Sequence, residues 1–190
     1  LSGLPGVSST FFGPGASRPI IRGLGGDRIR VLINGIGSID AASTSPDHAV
    51  SGDPLTAERV EIMRGASTLL YGSNAVGGVV NIIDNRIPNA VPEMGASGRA
   101  RLAFDTVTND RSGGAALNVA ATDTLVLHVD GYYRRTGDFS IPGFAESAVL
   151  RAEEEGDELE EDHEEQFGTV KNSDVDNKGG TFGIGWVGDR

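Results

Sequence analysis

The sequence contains no cysteine, and aromatic residues make up only 6% of its 190 positions. Without cysteine there is neither a disulfide framework nor a thiolate metal site. No stretch approaches the ~18 consecutive apolar residues of a transmembrane helix, so a helical membrane protein is excluded. No basic stripe stands out against a formal net charge of -11, and nucleic-acid binding is not expected. Histidine occurs only at 48, 128 and 163, and no G-x-S-x-G turn accompanies it, which removes the usual hydrolytic triad. Gly183 to Gly188 fits the dinucleotide pattern GxGxxG but lies in an alternating strand with no helix after it. Asp174 to Gly179 begins like a calcium loop, yet Lys178 stands at a ligand position and Gly185 where the closing Glu belongs. The chain is therefore read as a non-enzyme that needs no cofactor. Leu1 opens in mid-pattern without the charged and apolar regions of an export signal, so an N-terminally truncated fragment is expected.

The acidity is local. Ten of the 27 carboxylates fall between Glu153 and Glu165, leaving 17 acids against 16 basic residues elsewhere. A run of this kind is either a solvated loop or a cation-gathering one, with Glu160, Glu161, Asp162, His163 and Glu164 as its densest part.

Between residues 53 and 83 the pattern becomes specific. Asp53-Pro54 is a helix start, giving an expected short helix over Leu55 to Arg59. Val60 and Ile62 alternate with Glu61 and Met63 as in a strand. Ser67 is placed to cap a helical turn that runs to Tyr71 and ends at Gly72. Gly77-Gly78 before Val79-Val80-Asn81-Ile82-Ile83 reads as a buried strand whose glycines admit another backbone. Upstream, Ile29, Val31 and Ile33 share a face and lead into Asn34-Gly35, a turn dipeptide.

These segments, with Arg18-Pro19-Ile20-Ile21-Arg22-Gly23-Leu24 before them and the motif Glu61, Arg64-Gly65, Tyr71-Gly72 and Gly77-Gly78 after, resemble the plug domain of TonB-dependent outer-membrane receptors. The resemblance covers roughly residues 1 to 90. It implies an α/β plug domain over residues 1–94, N-terminally truncated, with Arg22, Arg64 and Glu61 near the plug–barrel boundary as buried or lumen-facing groups. It also implies a Gram-negative outer-membrane location and a TonB energy-transducing partner whose contact segment is missing from this chain.

From about residue 97 the sequence alternates in long runs. Arg99 to Thr106, Gly114 to Ala121, Thr124 to Arg135 and Gly180 to Gly188 each set apolar against polar or small residues. Antiparallel β-strands of an incomplete outer-membrane β-barrel fit this pattern, and so does a soluble sheet with one wet face. The resembled plug in front decides between them, and it implies that residues 95–190 are the first four barrel strands, in contact with outer-membrane lipid. Thr108 to Ser112 and Ala121 to Thr124 would be turns, and 137–177 a long acidic extracellular loop. Four strands cannot close a plugged barrel of about 22, so truncation is expected at the C-terminal end too.

Ser45-Pro46-Asp47-His48-Ala49 carries an Asp-His pair that resembles the zinc-uptake subgroup of these receptors, in which such a pair ligates metal. Carboxylate oxygen and imidazole nitrogen both suit Zn²⁺, and neighbours reach one ion only from a loop. Asp47 capping a turn beside a surface His48 is the alternative. The reading is active uptake of a metal ion, zinc, with a siderophore or vitamin receptor and a soluble acidic metal-binding protein as the other candidates.

Overall fold

Asn34 and Gly35 both take positive φ, 52° and 80°, which makes the two-residue turn that joins β3 (Ile29–Ile33) to β4 (Ile36–Gly37). The computed structural model in which this is seen describes residues 3–37, 45, 48, 55–154 and 166–188. β6 (Gly78–Ile83) lies parallel to β3 and antiparallel to β5 (Arg59–Met63), giving the strand order β4-β3-β6-β5. Register puts Ile29, Val31 and Ile33 on one face with Val80 and Ile62, as the alternation predicts. Both faces are covered. Ile21, Ile29 and Val80 form one core with Ile62, while Leu32, Ala75 and Val79 form another with Met63.

The two glycines before β6 act through close approach. A Cβ on Gly77 would meet Arg28 O and Leu24 Cβ, each at 2.9 Å, and one on Gly78 would meet Ile21 Cδ1 at 2.7 Å and Met63 O at 3.0 Å. Asn81 sits 8% exposed on the covered face, where its Oδ1 accepts from Gly35 N at 2.9 Å and its amide donates to Glu61 Oε2 at 3.4 Å. Asn34 in turn donates to Asp84 Oδ1 at 2.8 Å, so the turn is fastened to the end of β6. β1 (Val7–Ser9) pairs with β2 (Pro19–Ile21) and closes off the loop between them.

Two local expectations need correction. No helix forms over Leu55 to Arg59: Leu55–Glu58 are turn and coil, and Arg59 already belongs to β5, because Glu58 N donates to Ile83 O at 2.7 Å and draws the backbone into the sheet. Asp53-Pro54 lies outside the described residues. The helical turn to Tyr71 is a 3-10 helix, Ala66–Tyr71, and Ser67 does not cap it. Gly65, φ 96°, is the N-cap, and the stabilising side chain is buried Thr68, whose Oγ1 lies 2.8 Å from Gly65 O and 2.7 Å from Ala75 O. Gly72 ends it at φ 112°, ψ 163°, an extended conformation open to glycine rather than a left-handed helical one.

The second sheet has the order β12-β9-β8-β7, all antiparallel, from β7 (Ala96–Asp105), β8 (Asp110–Ala120), β9 (Leu125–Arg135) and β12 (Asp176–Trp186). The first turn is tighter than expected. β8 begins at Asp110, because Asp105 Oδ1 accepts from the backbone of Val107 and Thr108 and folds the chain back at once. The segment between β9 and β12 is not a bare loop; it carries the hairpin of β10 (Phe139–Phe144) with β11 (Phe167–Val170), and the helix α1 (Ala148–Glu154).

This sheet has inverted polarity. Leu117, Val119, Val129, Phe182, Ile184 and Trp186 share one face, and that face is exposed: Leu102 at 78%, Phe104 at 77% and Trp186 at 76%. The opposite face holds Ser112, Asn118, His128, Asp130 and Arg134 and is turned toward the first unit, with His128 only 2% exposed. A soluble sheet buries the apolar face and wets the polar one. Here the arrangement is that of a barrel wall, apolar outward and polar inward.

Candidate functional site

Two zones of the inner face meet the plug-like unit. At the end near the Ala121–Thr124 turn, the segment following β6 crosses β12 where β12 has no side chains. A Cβ on Gly183 would stand 1.6 Å from Arg86 O, and one on Gly185 would stand 2.2 Å from Pro88 O. Beside this crossing His128 Nδ1 lies 2.7 Å from Asn118 Oδ1 and Nε2 lies 2.8 Å from Asp130 Oδ2. Arg99 Nη2 donates to Thr56 O at 2.5 Å from the neighbouring strand. Burial pushes the Asp84 carboxyl up, but hydrogen bonds from the Arg86 guanidinium, the Asn34 amide and the Arg86 backbone outweigh it and hold it below the usual range. The Arg86 guanidinium is raised, chiefly by its hydrogen bond to Asp84 and also by the more distant charge of Asp130. This zone is an anchor made of backbone contact and hydrogen-bonded polar groups, with the buried Arg99 Nε left without a partner among the described residues.

The second zone lies at the opposite end, under the long connection. The loop between β1 and β2 closes through Thr10 N to Arg18 O at 2.9 Å and Arg18 N to Thr10 Oγ1 at 3.0 Å. Its tip lies against the outer connection: the Phe11 and Phe139 rings meet edge to face at 5.3 Å, and Gly15 passes so close to Val175 that a Cβ would reach Val175 Cγ2 at 2.9 Å. Arg18, 8% exposed, donates through Nη2 to Ser45 O at 3.0 Å and so fixes the start of the Asp-His segment at this end. Phe11, Pro14, Ser17, Asp105, Asp110 and Arg134 line a groove here. Arg134 pairs with Asp110 Oδ2 at 3.1 Å, while the buried Asp110 Oδ1 has no partner among the described residues. Asp138 Oδ1 accepts from Ser173 N at 2.8 Å and Asp174 N at 3.1 Å, tying the two ends of the connection together.

His48 is exposed, in a bend whose N–H points to Ser45 O at 3.4 Å. Asp47 lies outside the described residues, as do Glu160, Glu161, Asp162, His163 and Glu164. Among the described residues no group of three or more His, Asp or Glu side chains is gathered to hold a metal. Of the groups expected as buried or lumen-facing at the boundary, Arg22 and Arg64 are not buried. Both are exposed, Arg22 at φ 51° beside Gly23 at φ 79°, and Arg64 donating to Pro5 O at 3.0 Å. Glu61 is half-buried and bonded to Arg59 Nε at 2.9 Å, a hydrogen bond that lowers its carboxyl below the usual value. Tyr71 is 37% exposed. The sequence reading missed the Phe11-Phe12-Gly13-Pro14-Gly15 tip, although exposed aromatics followed by glycine and proline are a signal for a projecting loop.

Residues 1–79 match the family model described as TonB-dependent Receptor Plug Domain. The N-terminal unit is thus similar to a TonB-dependent receptor plug over those 79 residues. With the inverted sheet after it, the chain has the fold of a plug followed by antiparallel strands of an incomplete barrel, and solved structures share that fold. The copper transporter OprC superposes with TM-score 0.56 at 24% identity, over 74% of this chain and 21% of that one. The ferric enterobactin receptor PfeA of Pseudomonas aeruginosa gives TM-score 0.55 at 22% identity, over 72% and 22%. In sequence, the vitamin B12 transporter BtuB of Photobacterium profundum is 42% identical over 98 residues, 50% of this chain and 16% of the relative. The chain thus spans about a sixth of that curated relative. The relatives are transport receptors, and no helix among the described residues is long and apolar enough to cross a membrane.

Proposed function

We propose that this chain is the plug and the first barrel strands of a Gram-negative outer-membrane receptor that takes up a vitamin or an iron chelate, with energy delivered through TonB. The observation that carries the cargo class is the groove between the plug tip and the barrel wall. It joins aromatic Phe11, 57% exposed, to the Arg134–Asp110 pair and an unpartnered carboxylate oxygen. An aromatic surface beside one or two placed polar groups suits a bulky organic chelate better than a bare ion. The 42% identity to a vitamin B12 transporter over 98 residues supports the same class.

In this reading cargo rests on the plug tip and on the outer connections. Pull through TonB then rearranges the plug near the apex while the Gly183 crossing holds its tail. Zinc is the second reading, favoured by one observation: Arg18 holds Ser45 at the apex, and exposed His48 lies three residues on. A single assay separates the two. The full-length receptor, expressed in cells lacking their own receptors, is tested for uptake of cyanocobalamin, a ferric siderophore and zinc, with and without TonB. TonB-dependent chelate uptake that falls about tenfold in Phe11→Ala/Phe12→Ala and is untouched by His48→Ala supports the proposal. Uptake of zinc alone, lost in His48→Ala, would return the protein to the zinc reading.

A further inference from the structure

The inward face of the barrel sheet carries two openings with one narrow contact between them. The apex groove, about 440 Å³, reaches the wall at Asp110 and Arg134. A second cavity, about 230 Å³, lies at the other end of the same strands, between Glu58 and Asn85 of the plug and Arg99, Ala116, Asn118 and His128 of the wall. Asp110 and Asn118 both face inward on β8, eight positions apart. That separation is about 27 Å along the strand at ~3.4 Å per residue, or roughly 21 Å along the barrel axis at a tilt near 40°. Gly114 is the midpoint, and register sets it against Tyr132, with Ala116 against Asp130 in the next inward row.

Between the two openings the strip 55–58 lies on the wall. A Cβ on Gly114 would meet Leu55 Cβ at 3.2 Å, Thr56 O accepts from Arg99 Nη2 at 2.5 Å, and Ala57 is 3% exposed. This hold differs from the anchor at Gly183. There a plug carbonyl fills the volume of the missing side chain, whereas at Gly114 the opposing atom is one apolar carbon. Leu55 to Glu58 are turn and coil, so the strip can shift without unpairing a strand until β5 begins at Arg59. Arg99 Nε is buried and has no partner among the described residues, and an unpaired buried donor lowers the stability of the resting seat. Gly114 and Ala116 leave the wall nearly bare at mid-height, while Arg134 and Asp110 at one end, and Arg99, Asn118 and His128 at the other, offer hydrogen bonds to a polar-edged molecule. A smooth middle between two polar ends suits a body that slides from one to the other.

We propose that cargo passes the plug along the inner face of β8, from the apex groove to the cavity at Ala116, and that the strip 55–58 is the gate between them. This rests on the uptake reading above. The chain contains no cysteine, so Leu55→Cys/Gly114→Cys places a single pair at a spacing near the ~3.5–4.5 Å between the Cβ atoms of a disulfide. Full-length receptors are expressed in cells that lack their own, and binding and TonB-dependent uptake of cyanocobalamin and of ferric enterobactin are measured separately. Oxidation of the pair is expected to lower uptake at least about tenfold, to leave binding within about twofold, and to be reversed by a reductant. Ala116→Trp, which narrows the path without any crosslink, is expected to lower the uptake rate about tenfold with binding unchanged, whereas Ala115→Trp, next to it but on the outward face, is expected to transport like wild type. Undiminished uptake by the oxidised pair, or equal uptake by Ala116→Trp and Ala115→Trp, would overturn the proposal while leaving the uptake reading intact. A wild-type receptor that takes up neither probe would overturn that reading and the gate with it.

Discussion

At the scale of single residues, the plug is held in place more by what is missing than by what is present. Gly183 and Gly185 have no side chains to pack, yet Arg86 and Pro88 carbonyls occupy the volume where their Cβ atoms would stand. Backbone cannot move aside as a flexible side chain can, so Gly183→Val should cost about 3 kcal/mol or more, the upper end for overpacking. Gly113→Ala is the control, because its nearest obstacle at 2.9 Å is the movable tip of Leu102. Heat-modifiable migration and outer-membrane yield of the full-length protein read the difference. A Gly183→Val receptor as stable as wild type would mean that the plug tail is not seated on β12. Nothing in the alternation around Phe182, Ile184 and Trp186 disclosed this. The sequence marked the glycines as the small face of a strand, and only the fold shows what approaches them.

Elements were legible where one local rule governed them. β3 and its Asn34-Gly35 turn follow from alternation and from two residues that tolerate positive φ. β6 follows from a continuous apolar run behind Gly77-Gly78, and the barrel strands follow from alternation with a period of two. Leu55 to Glu58 failed because a capping signal competed with a hydrogen bond from Glu58 N to Ile83 O, a partner 25 positions away. The apex groove was legible only in part for the same reason: Phe11, Asp110 and Arg134 lie on three distant segments, whereas Asp47-His48 is adjacent in sequence and attracts notice for that alone. The inverted sheet gives a depth-dependent prediction. Val129, mid-height on the outward face, should lose about 2–4 kcal/mol on change to Lys, whereas Trp186→Lys at the rim should lose about 0–1. Reversible unfolding of the full-length receptor in lipid bilayers measures both. Losses below about 0.5 kcal/mol at both sites would point to a water-facing surface.

At the scale of the whole molecule, charge distribution distinguishes the cargo readings that local geometry leaves side by side. Ten carboxylates are concentrated between Glu153 and Glu165, in the connection between β9 and β12, and the rest of the chain is nearly neutral. On the outer side of a barrel this run makes a negative field that reaches about 8–10 Å at physiological salt and further when salt is diluted. A free divalent cation is drawn in, so its association rate should fall on the order of tenfold as ionic strength rises from about 10 to 150 mM. A strongly anionic ferric chelate is repelled, and its rate should rise over the same range. A cargo with no net charge should respond little. Deleting residues 155–165 from the full-length receptor should flatten the salt dependence in the first two cases and leave the third unchanged. Stopped-flow association with zinc, a ferric catecholate and cyanocobalamin measures all three. The proposed vitamin reading expects a productive, nearly salt-independent rate for cyanocobalamin. A cyanocobalamin rate that changes steeply with salt, or no binding of it at any salt while an iron chelate binds, would move the assignment to the siderophore branch of the same proposal.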